Sequence, residues 1–174
     1  QAIESAWSIN SNVKSLNYSH KAIKLIINNI KKSVVEKNVI SRNKMCKAAN
    51  LSGKAINITK TTAPHAMSYS LASKLKISHG HSVAIILGHF FEINCESNNI
   101  SKKINQKILN RNMKNIFLSL GVKSALAAKK KWFKLMDECN LETSFVELKL
   151  TKEKDVNRII SSINIERLEN HPVI

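Results

Sequence analysis

Apolar side chains recur three and four positions apart along most of this chain, as they do on one face of an α-helix. In the stretch 19–35, for example, one face carries Ile23, Ile26, Ile27 and Ile30. The same spacing predicts helices over residues 1–7, 19–35, 42–58, 104–120 and 151–163, one helix bearing His65, one from His79 to Asn94, and one around Trp132.

Turn-forming residues are scarce, because the 174 residues include only four Gly and two Pro. Thr61 or Thr62 is a suitable N-cap for the helix that bears His65, and Pro64 fits its first turn. Gly121 is expected to end the helix before it. Apolar and polar residues alternate over 146–150, but no partner strand is evident, so we predict a loop or a short helix there. The expected fold is all-α, with seven or so helices and at most one short strand.

Length and composition favour one cytoplasmic domain spanning residues 1–174. A chain of this size buries about two thirds of the surface of its unfolded state. The longest apolar run is far below the roughly 20 residues that span a bilayer, and no signal-like leader opens the sequence. Cys46, Cys95 and Cys139 are odd in number and widely spaced. They indicate reduced thiols, and neither a disulfide framework nor a zinc knuckle.

A formal net charge of +16 raises the question of nucleic-acid binding. The lysines are scattered along every segment, aromatic residues make up only 5% of the chain, and no helix-turn-helix punctuation is present. Abundant Lys, Asn and Ile are typical of a genome biased toward A and T codons. The charge therefore favours solvated helix faces, with no nucleic-acid partner. A non-catalytic basic helical protein that binds other macromolecules, nucleic acid included, stays open as an alternative.

Two histidines, His65 and His79, lie fourteen residues apart, each near the predicted start of a helix. Imidazoles from two adjacent helix starts can converge on one metal ion, because neutral histidine is a good metal ligand. The alternative is that both histidines are only polar residues at helix starts and bind no metal, because the spacing would then be the same. We interpret His81 as a pocket-wall or surface residue, with a third nitrogen ligand for the metal as the alternative, and His171 as a surface residue.

Motifs around these histidines follow one another in a defined order. Arg42 opens an Arg-x-x-Met motif, and small residues then continue to Gly53, where they also permit a close helix crossing. His65 comes twelve positions after Gly53, and His79-Gly80 follows. This order resembles the C-terminal helical domain of the metal-dependent (iron-containing) alcohol dehydrogenases, which have a dehydroquinate-synthase-like fold. The sequence of residues 55–66 is most similar to that of the branch that contains the phosphonoacetaldehyde reductases.

The resemblance implies a divalent metal, iron or zinc, held by His65, His79 and two residues of an earlier helix. Those two are an Asp and a residue four positions later, a spacing that puts both on one helix face. Gln1 matches the second position, where most members have His, and the Asp would lie four residues before Gln1. The Gln amide oxygen is a weaker ligand than imidazole. The metal would polarise the alcohol or aldehyde oxygen while hydride moves to or from NADH or NADPH.

The resemblance also implies a catalytic residue and a missing domain. Tyr69 lies one turn beyond His65, where many relatives carry a second histidine for proton transfer, and a phenol can donate that proton; packing on the core is the alternative for Tyr69. The nicotinamide cofactor binds mainly to an N-terminal α/β domain, and no Gly-rich phosphate site exists in this sequence. We therefore expect the C-terminal domain of a two-domain enzyme, inactive in isolation, with homo-oligomerisation left open.

The polar cluster of Lys60, Thr61 and Thr62 precedes the helix that bears His65. Free N–H groups, the helix dipole, two hydroxyls and an ammonium there suit an anionic group of the substrate, such as a phosphonate. The alternative is that Thr62 only caps the helix and Lys60 is solvated.

The predicted function is the metal-binding part of an NAD(P)-dependent alcohol dehydrogenase or aldehyde reductase that acts on a small anionic aldehyde such as phosphonoacetaldehyde. A glycerol-dehydrogenase-like or dehydroquinate-synthase-like enzyme domain has the same architecture and is the alternative among enzymes.

Overall fold

The computed structural model describes residues 1–173, apart from the side chain of Arg167. Within these residues the chain forms helices and no strand, and the β contact between Ile100 and Val173 is an isolated bridge. The helices are α1 (Ala2–Trp7), α2 (Val13–Val34), α3 (Val39–Thr59), α4 (Ala63–Leu75), α5 (His79–Glu96), α6 (Gln106–Leu120), α7 (Ala125–Asp137), α8 (Glu153–Ser161) and a 3₁₀ helix (Ile165–Leu168). The predicted all-α fold is confirmed.

Side chains of the preceding residues cap most of the helix starts. The N-cap residues whose side chains accept a backbone N–H are Asn12, Asn38, Ser78, Asn105, Ser124 and, before the 3₁₀ helix, Asn164. Asn12 and Ser15 form a capping box, so α2 begins well before the predicted start at residue 19. Gly121 ends α6 in the left-handed region at φ 70°, as predicted.

The C-terminal elements differ in detail from the sequence prediction. Helix α8 has Lys152, not Thr151, at its N-cap, without a side-chain hydrogen bond, and it ends at Ser161. Residues 145–149 form turns, which agrees with the predicted loop or short helix.

Helix α1 lies at the centre of the packing. All six of its residues are buried, and the helix contacts α2, α3 and α6. Helices α2 and α3 pack along each other, α4 packs on α5, and α5 packs on α7. Large side chains that are completely or almost completely buried include Trp7, Leu71, Ile85, Phe91, Leu109, Met113 and Ile116. Their removal from water stabilises this arrangement.

Outside the core, the described residues agree with two expectations from composition. None of the helices has the length and apolar character needed to cross a membrane. All three cysteines are unpaired thiols, and Cys46 and Cys95 are exposed.

His171 is buried, although the sequence analysis places it at the surface. Its ring packs edge-on against Trp7 and Phe90, with centroids 6.1 and 4.9 Å apart. The chain returns to the core here because Asn170 accepts a hydrogen bond from the Ile9 amide at 3.2 Å and Pro172 accepts one from Ser101 at 2.9 Å. Such long-range contacts leave no local pattern in the sequence.

At two helical glycines, substitution by alanine is expected to change stability in opposite directions. A Cβ at Gly88 on α5 would meet the ring of Phe133 on α7 at 2.5 Å, whereas a Cβ at Gly53 would meet no atom within 4 Å. Gly53 is therefore not required by a close helix crossing, contrary to that interpretation of the sequence. We expect Gly88→Ala to destabilise the protein by about 1–3 kcal/mol through overpacking. Gly53→Ala should stabilise it by about 0.5–1 kcal/mol through helix propensity.

Urea unfolding of both glycine variants beside the wild type measures these changes. Destabilisation by Gly53→Ala as large as that by Gly88→Ala would contradict the difference in packing.

The buried His171 predicts a loss of stability in mild acid. Burial lowers the pKa of His171 to about 4, so the folded state keeps the ring neutral while the unfolded state takes up a proton below its pKa of about 6.5. The stabilisation is complete above that unfolded-state pKa and is lost as the pH falls toward 4. Between pH 7 and pH 5 the wild type should lose about 2 kcal/mol more than His171→Phe, which keeps the ring contacts without titrating.

Urea unfolding at the two pH values gives the comparison. An equal loss in the wild type and in His171→Phe would show that His171 does not cause it.

Candidate metal centre

Helices α4 and α5 bring His65 and His79 together. His65 lies in the first turn of α4, after Thr62 at the N-cap and Pro64, and His79 is the first residue of α5. The two rings, expected from the sequence to converge, have centroids 5.3 Å apart and planes inclined at 71°. His65 is buried, whereas His79 is exposed. The pair thus lies at the edge of the core, where one ring is held and the other meets solvent.

Glu4 of α1 holds the start of α4 and was not among the residues predicted from the sequence. Its side chain is completely buried. Oε1 accepts hydrogen bonds from the backbone N–H of Thr62 at 3.0 Å, from the Thr62 hydroxyl at 2.9 Å and from the backbone N–H of His65 at 3.2 Å. Oε2 accepts a short hydrogen bond from Nδ1 of His65. One carboxylate therefore fixes both the backbone and the ring of His65.

Glu4 stays charged although it is buried. Burial raises the pKa of this carboxyl, whereas the hydrogen bonds from His65 and Thr62 lower it, and the pKa lies below its usual value. A carboxylate without such partners would not stay ionised inside a protein.

Two further contacts orient the exposed ring of His79. Nδ1 of His79 lies 3.4 Å from the Ser68 hydroxyl, and that hydroxyl donates to the His65 carbonyl at 2.8 Å. Tyr69 stacks on the His79 ring, with centroids 5.1 Å apart. Partial desolvation of the ring by its neighbours, and then the positive charge that His65 has when protonated, lower the pKa of His79. The neutral form that binds metal ions is thereby favoured.

His81 is turned away from the pair. Its Nε2 donates to the backbone carbonyl of Glu142 at 2.8 Å, and its Nδ1 lies 3.8 Å from the Glu142 carboxylate. It is buried as part of the wall around the start of α5, in agreement with the sequence interpretation.

The sequence model of the Fe-containing alcohol dehydrogenase family, C-terminal, matches residues 1–167. The chain belongs to this family. Sulfoacetaldehyde reductase from Bifidobacterium kashiwanohense, solved in complex with NAD⁺, is similar with a TM-score of 0.80 and 26% identity, over 99% of this chain and 43% of that chain. The Red Sea brine pool alcohol dehydrogenase ADH/D1, from an archaeon, has the same fold, with a TM-score of 0.81 and 22% identity over 99% of this chain and 44% of that chain.

A curated relative comes from the branch that the sequence suggests. The phosphonoacetaldehyde reductase of Streptomyces viridochromogenes is 30% identical over 95 residues, which cover 54% of this chain and 24% of that protein. The chain thus spans less than half the length of these relatives.

His65 and His79 suit the metal that the family name implies. Because Nδ1 of His65 is bonded to Glu4, the other nitrogen, Nε2, is the one left for an ion. Among the described residues, no group of three or more His, Cys, Asp or Glu side chains is placed to hold an ion. A metal held by the pair would need a further ligand, such as the amide of Gln1 or the Asp that the family resemblance implies four residues before it. Gln1 is exposed directly before α1.

The polar cluster before α4 divides between surface and core. Lys60 is exposed, and Lys60 and Thr61 line a surface pocket of about 350 Å³ with Gly53, Ile56 and Asn57. The structure differs from the sequence expectation at Thr62, which is completely buried. Its hydroxyl accepts from the indole N–H of Trp7 at 2.8 Å and donates to Glu4. Thr62 therefore faces the core instead of a substrate.

One sequence feature could have revealed Glu4. It is the single charged residue in the otherwise apolar or small stretch Ala2–Trp7, and a charge in a segment that is buried on every side requires partners. The helical period alone gave no reason to place this acid inside.

Proposed function

We propose that the full-length protein is a metal-dependent, NAD(P)-linked alcohol dehydrogenase that reduces a small anionic aldehyde, and that this chain supplies its metal-binding domain. The observation that carries the proposal is the convergence of His65 and His79 from the starts of α4 and α5, with ring centroids 5.3 Å apart, in a member of the Fe-containing alcohol dehydrogenase family.

The metal ligands of this chain would be His65, His79 and Gln1. A divalent ion, iron or zinc, supplies Lewis-acid polarisation of the aldehyde or alcohol oxygen when it is bound. His65 contributes Nε2 from a fixed ring, and His79 contributes a neutral ring whose protonated form is disfavoured. The similar sulfoacetaldehyde reductase was solved with NAD⁺; in the protein to which this chain belongs, the nicotinamide cofactor would bind mainly to a further domain, because this sequence has no Gly-rich phosphate site.

Tyr69 is the proposed proton donor. Its ring stacks on His79 and is 48% exposed, so the residue lies beside the metal ligands and is accessible to solvent. A phenol in this place can pass a proton to the oxygen that forms as hydride reaches the carbonyl carbon.

Lys60 and Thr61 are the proposed contacts for the negative charge of the substrate. Both line the pocket between the end of α3 and the start of α4, a few residues before His65. Two similar proteins are reductases of aldehydes that carry a phosphonate or a sulfonate. An exposed ammonium suits either anion, so this pocket fits the proposed substrate class.

Removing one imidazole should abolish tight metal binding. His79→Ala deletes a proposed ligand at an exposed position, so we expect metal affinity to fall by at least the 10- to 100-fold that is typical of losing an outer-shell partner, about 1.4–2.8 kcal/mol. Metal content after dialysis and reductase activity would be measured on the full-length enzyme. His20→Gln is the matched control, because His20 contacts Ser119 instead of the pair. Retention of stoichiometric metal by His79→Ala would contradict the site.

Removing the proposed anion contact should change substrate preference. In the full-length enzyme, Lys60→Ala should raise KM for phosphonoacetaldehyde roughly 10- to 100-fold, about 1.4–2.8 kcal/mol, and barely change activity on an uncharged small aldehyde. Lys54→Ala, at another exposed position on α3, is the control. Equal losses of activity on both aldehydes would mean that Lys60 supports the helix or the metal site. No loss of activity on either aldehyde would mean that Lys60 is only a solvated residue at the helix start.

A further inference from the structure

We propose that Glu4 is a positioning residue that sets the tautomer of His65, with the proton on Nδ1, so that Nε2 is the nitrogen presented to the metal. This inference rests on the proposed function, because it assigns a role to Glu4 only if His65 is a metal ligand.

The two oxygens of Glu4 have different partners, and this difference defines the geometry. Oε1 accepts three hydrogen bonds, two from Thr62 and one from the backbone of His65. Oε2 faces Nδ1 of the His65 ring. An ionised carboxylate can only accept hydrogen bonds, so Nδ1 must carry a proton. In a neutral ring Nε2 then has its lone pair free, and it has no hydrogen-bond partner among the described residues.

The direction of the neighbouring hydrogen bonds fixes Oε1 of Glu4 as an acceptor. The indole N–H of Trp7 can only donate, and it donates to the Thr62 hydroxyl at 2.8 Å. The Thr62 proton is thereby directed to Glu4 at 2.9 Å. Trp7, Glu4 and Thr62 are all completely buried, so water does not compete for these bonds and the chain of donors ends at the carboxylate.

Glu4 also replaces the usual cap of α4. Thr62 is the N-cap residue, but its side chain makes no capping hydrogen bond, and the Glu4 carboxylate accepts the backbone N–H of His65 in its place. Removing the carboxylate would therefore cost helix stability as well as ring orientation. A test of positioning has to separate these two effects.

Ser68 supports the same tautomer at the second histidine. Its hydroxyl proton is directed to the His65 carbonyl at 2.8 Å, so at His79 the Ser68 oxygen is the acceptor and Nδ1–H is the donor. Both rings would then present Nε2, although the 3.4 Å separation makes the contact at His79 the weaker of the two.

The Glu4→Gln variant separates charge from shape. The amide oxygen should take the place of Oε1, because three donors converge there, and the amide NH₂ then faces Nδ1 of His65. An NH₂ group donates, so Nδ1 must become the acceptor and the ring proton moves to Nε2, where it blocks the metal. Thr62→Val is the matched control, because it removes a hydrogen bond from the same carboxylate and leaves the contact with Nδ1.

Two measurements on the full-length protein test the proposal. The first is the Kd for Zn²⁺, obtained by competition with a chromophoric chelator. The second is ¹⁵N NMR of labelled histidine in the metal-free protein, with His65 assigned by substitution. We expect Glu4→Gln to raise the Kd about 10- to 100-fold and to shift the ring proton from Nδ1 to Nε2. Thr62→Val should lower stability and leave both the Kd and the tautomer close to those of the wild type.

Each outcome supports or overturns the proposal. An unchanged Kd in Glu4→Gln, or equal weakening by Glu4→Gln and Thr62→Val, would give Glu4 a purely structural role. If Glu4→Gln does not fold, the wild-type spectrum decides, because a proton on Nε2 of His65 would overturn the proposal. Failure of the proposed function looks different: the wild type would bind no Zn²⁺, or His79→Ala would bind it as tightly as the wild type.

Discussion

A buried carboxylate is the constraint on which the rest of the structure depends. Glu4 lies in a short helix that is buried on every side, and a charge in that position is tolerated only when it is fully hydrogen-bonded. Its partners all belong to Thr62 and His65, so the requirement that the charge be satisfied joins α1 to the start of α4. Because α1 is itself packed against α2, α3 and α6, the packing at the centre of the core determines the position of His65.

The contact of Glu4 with the start of α4 also occupies the N–H groups that could otherwise bind an anion. A helix N-terminus usually offers its free N–H groups to an anion, but here the anion is Glu4, supplied from inside the protein. The N–H groups of Thr62 and His65 are already engaged, so in the proposed function the negative charge of a substrate would be bound by Lys60 and Thr61, which line a surface pocket instead. His79, the second proposed ligand, lies at the start of α5, where solvent can reach it.

The sequence predicted the parts of this arrangement that depend on local spacing. Helical periodicity located the elements, and the family order of motifs led to His65 and His79. The sequence pattern could not predict that Glu4 binds Thr62 and His65, because these hydrogen bonds join residues 58 and 61 positions apart. His171 was placed at the surface for the same reason, since its burial depends on contacts with Trp7 and Phe90. The inward direction of Thr62 likewise follows from Trp7 and Glu4, which no helix-capping rule includes.

The most direct test of this account is anomalous diffraction from crystals of the full-length protein loaded with Zn²⁺. The account predicts one peak about 2.0–2.1 Å from Nε2 of both His65 and His79, with the Glu4 carboxylate still on Nδ1 of His65. A peak bonded to Glu4 or to Nδ1 of His65, or the absence of a peak at the two rings, would contradict it.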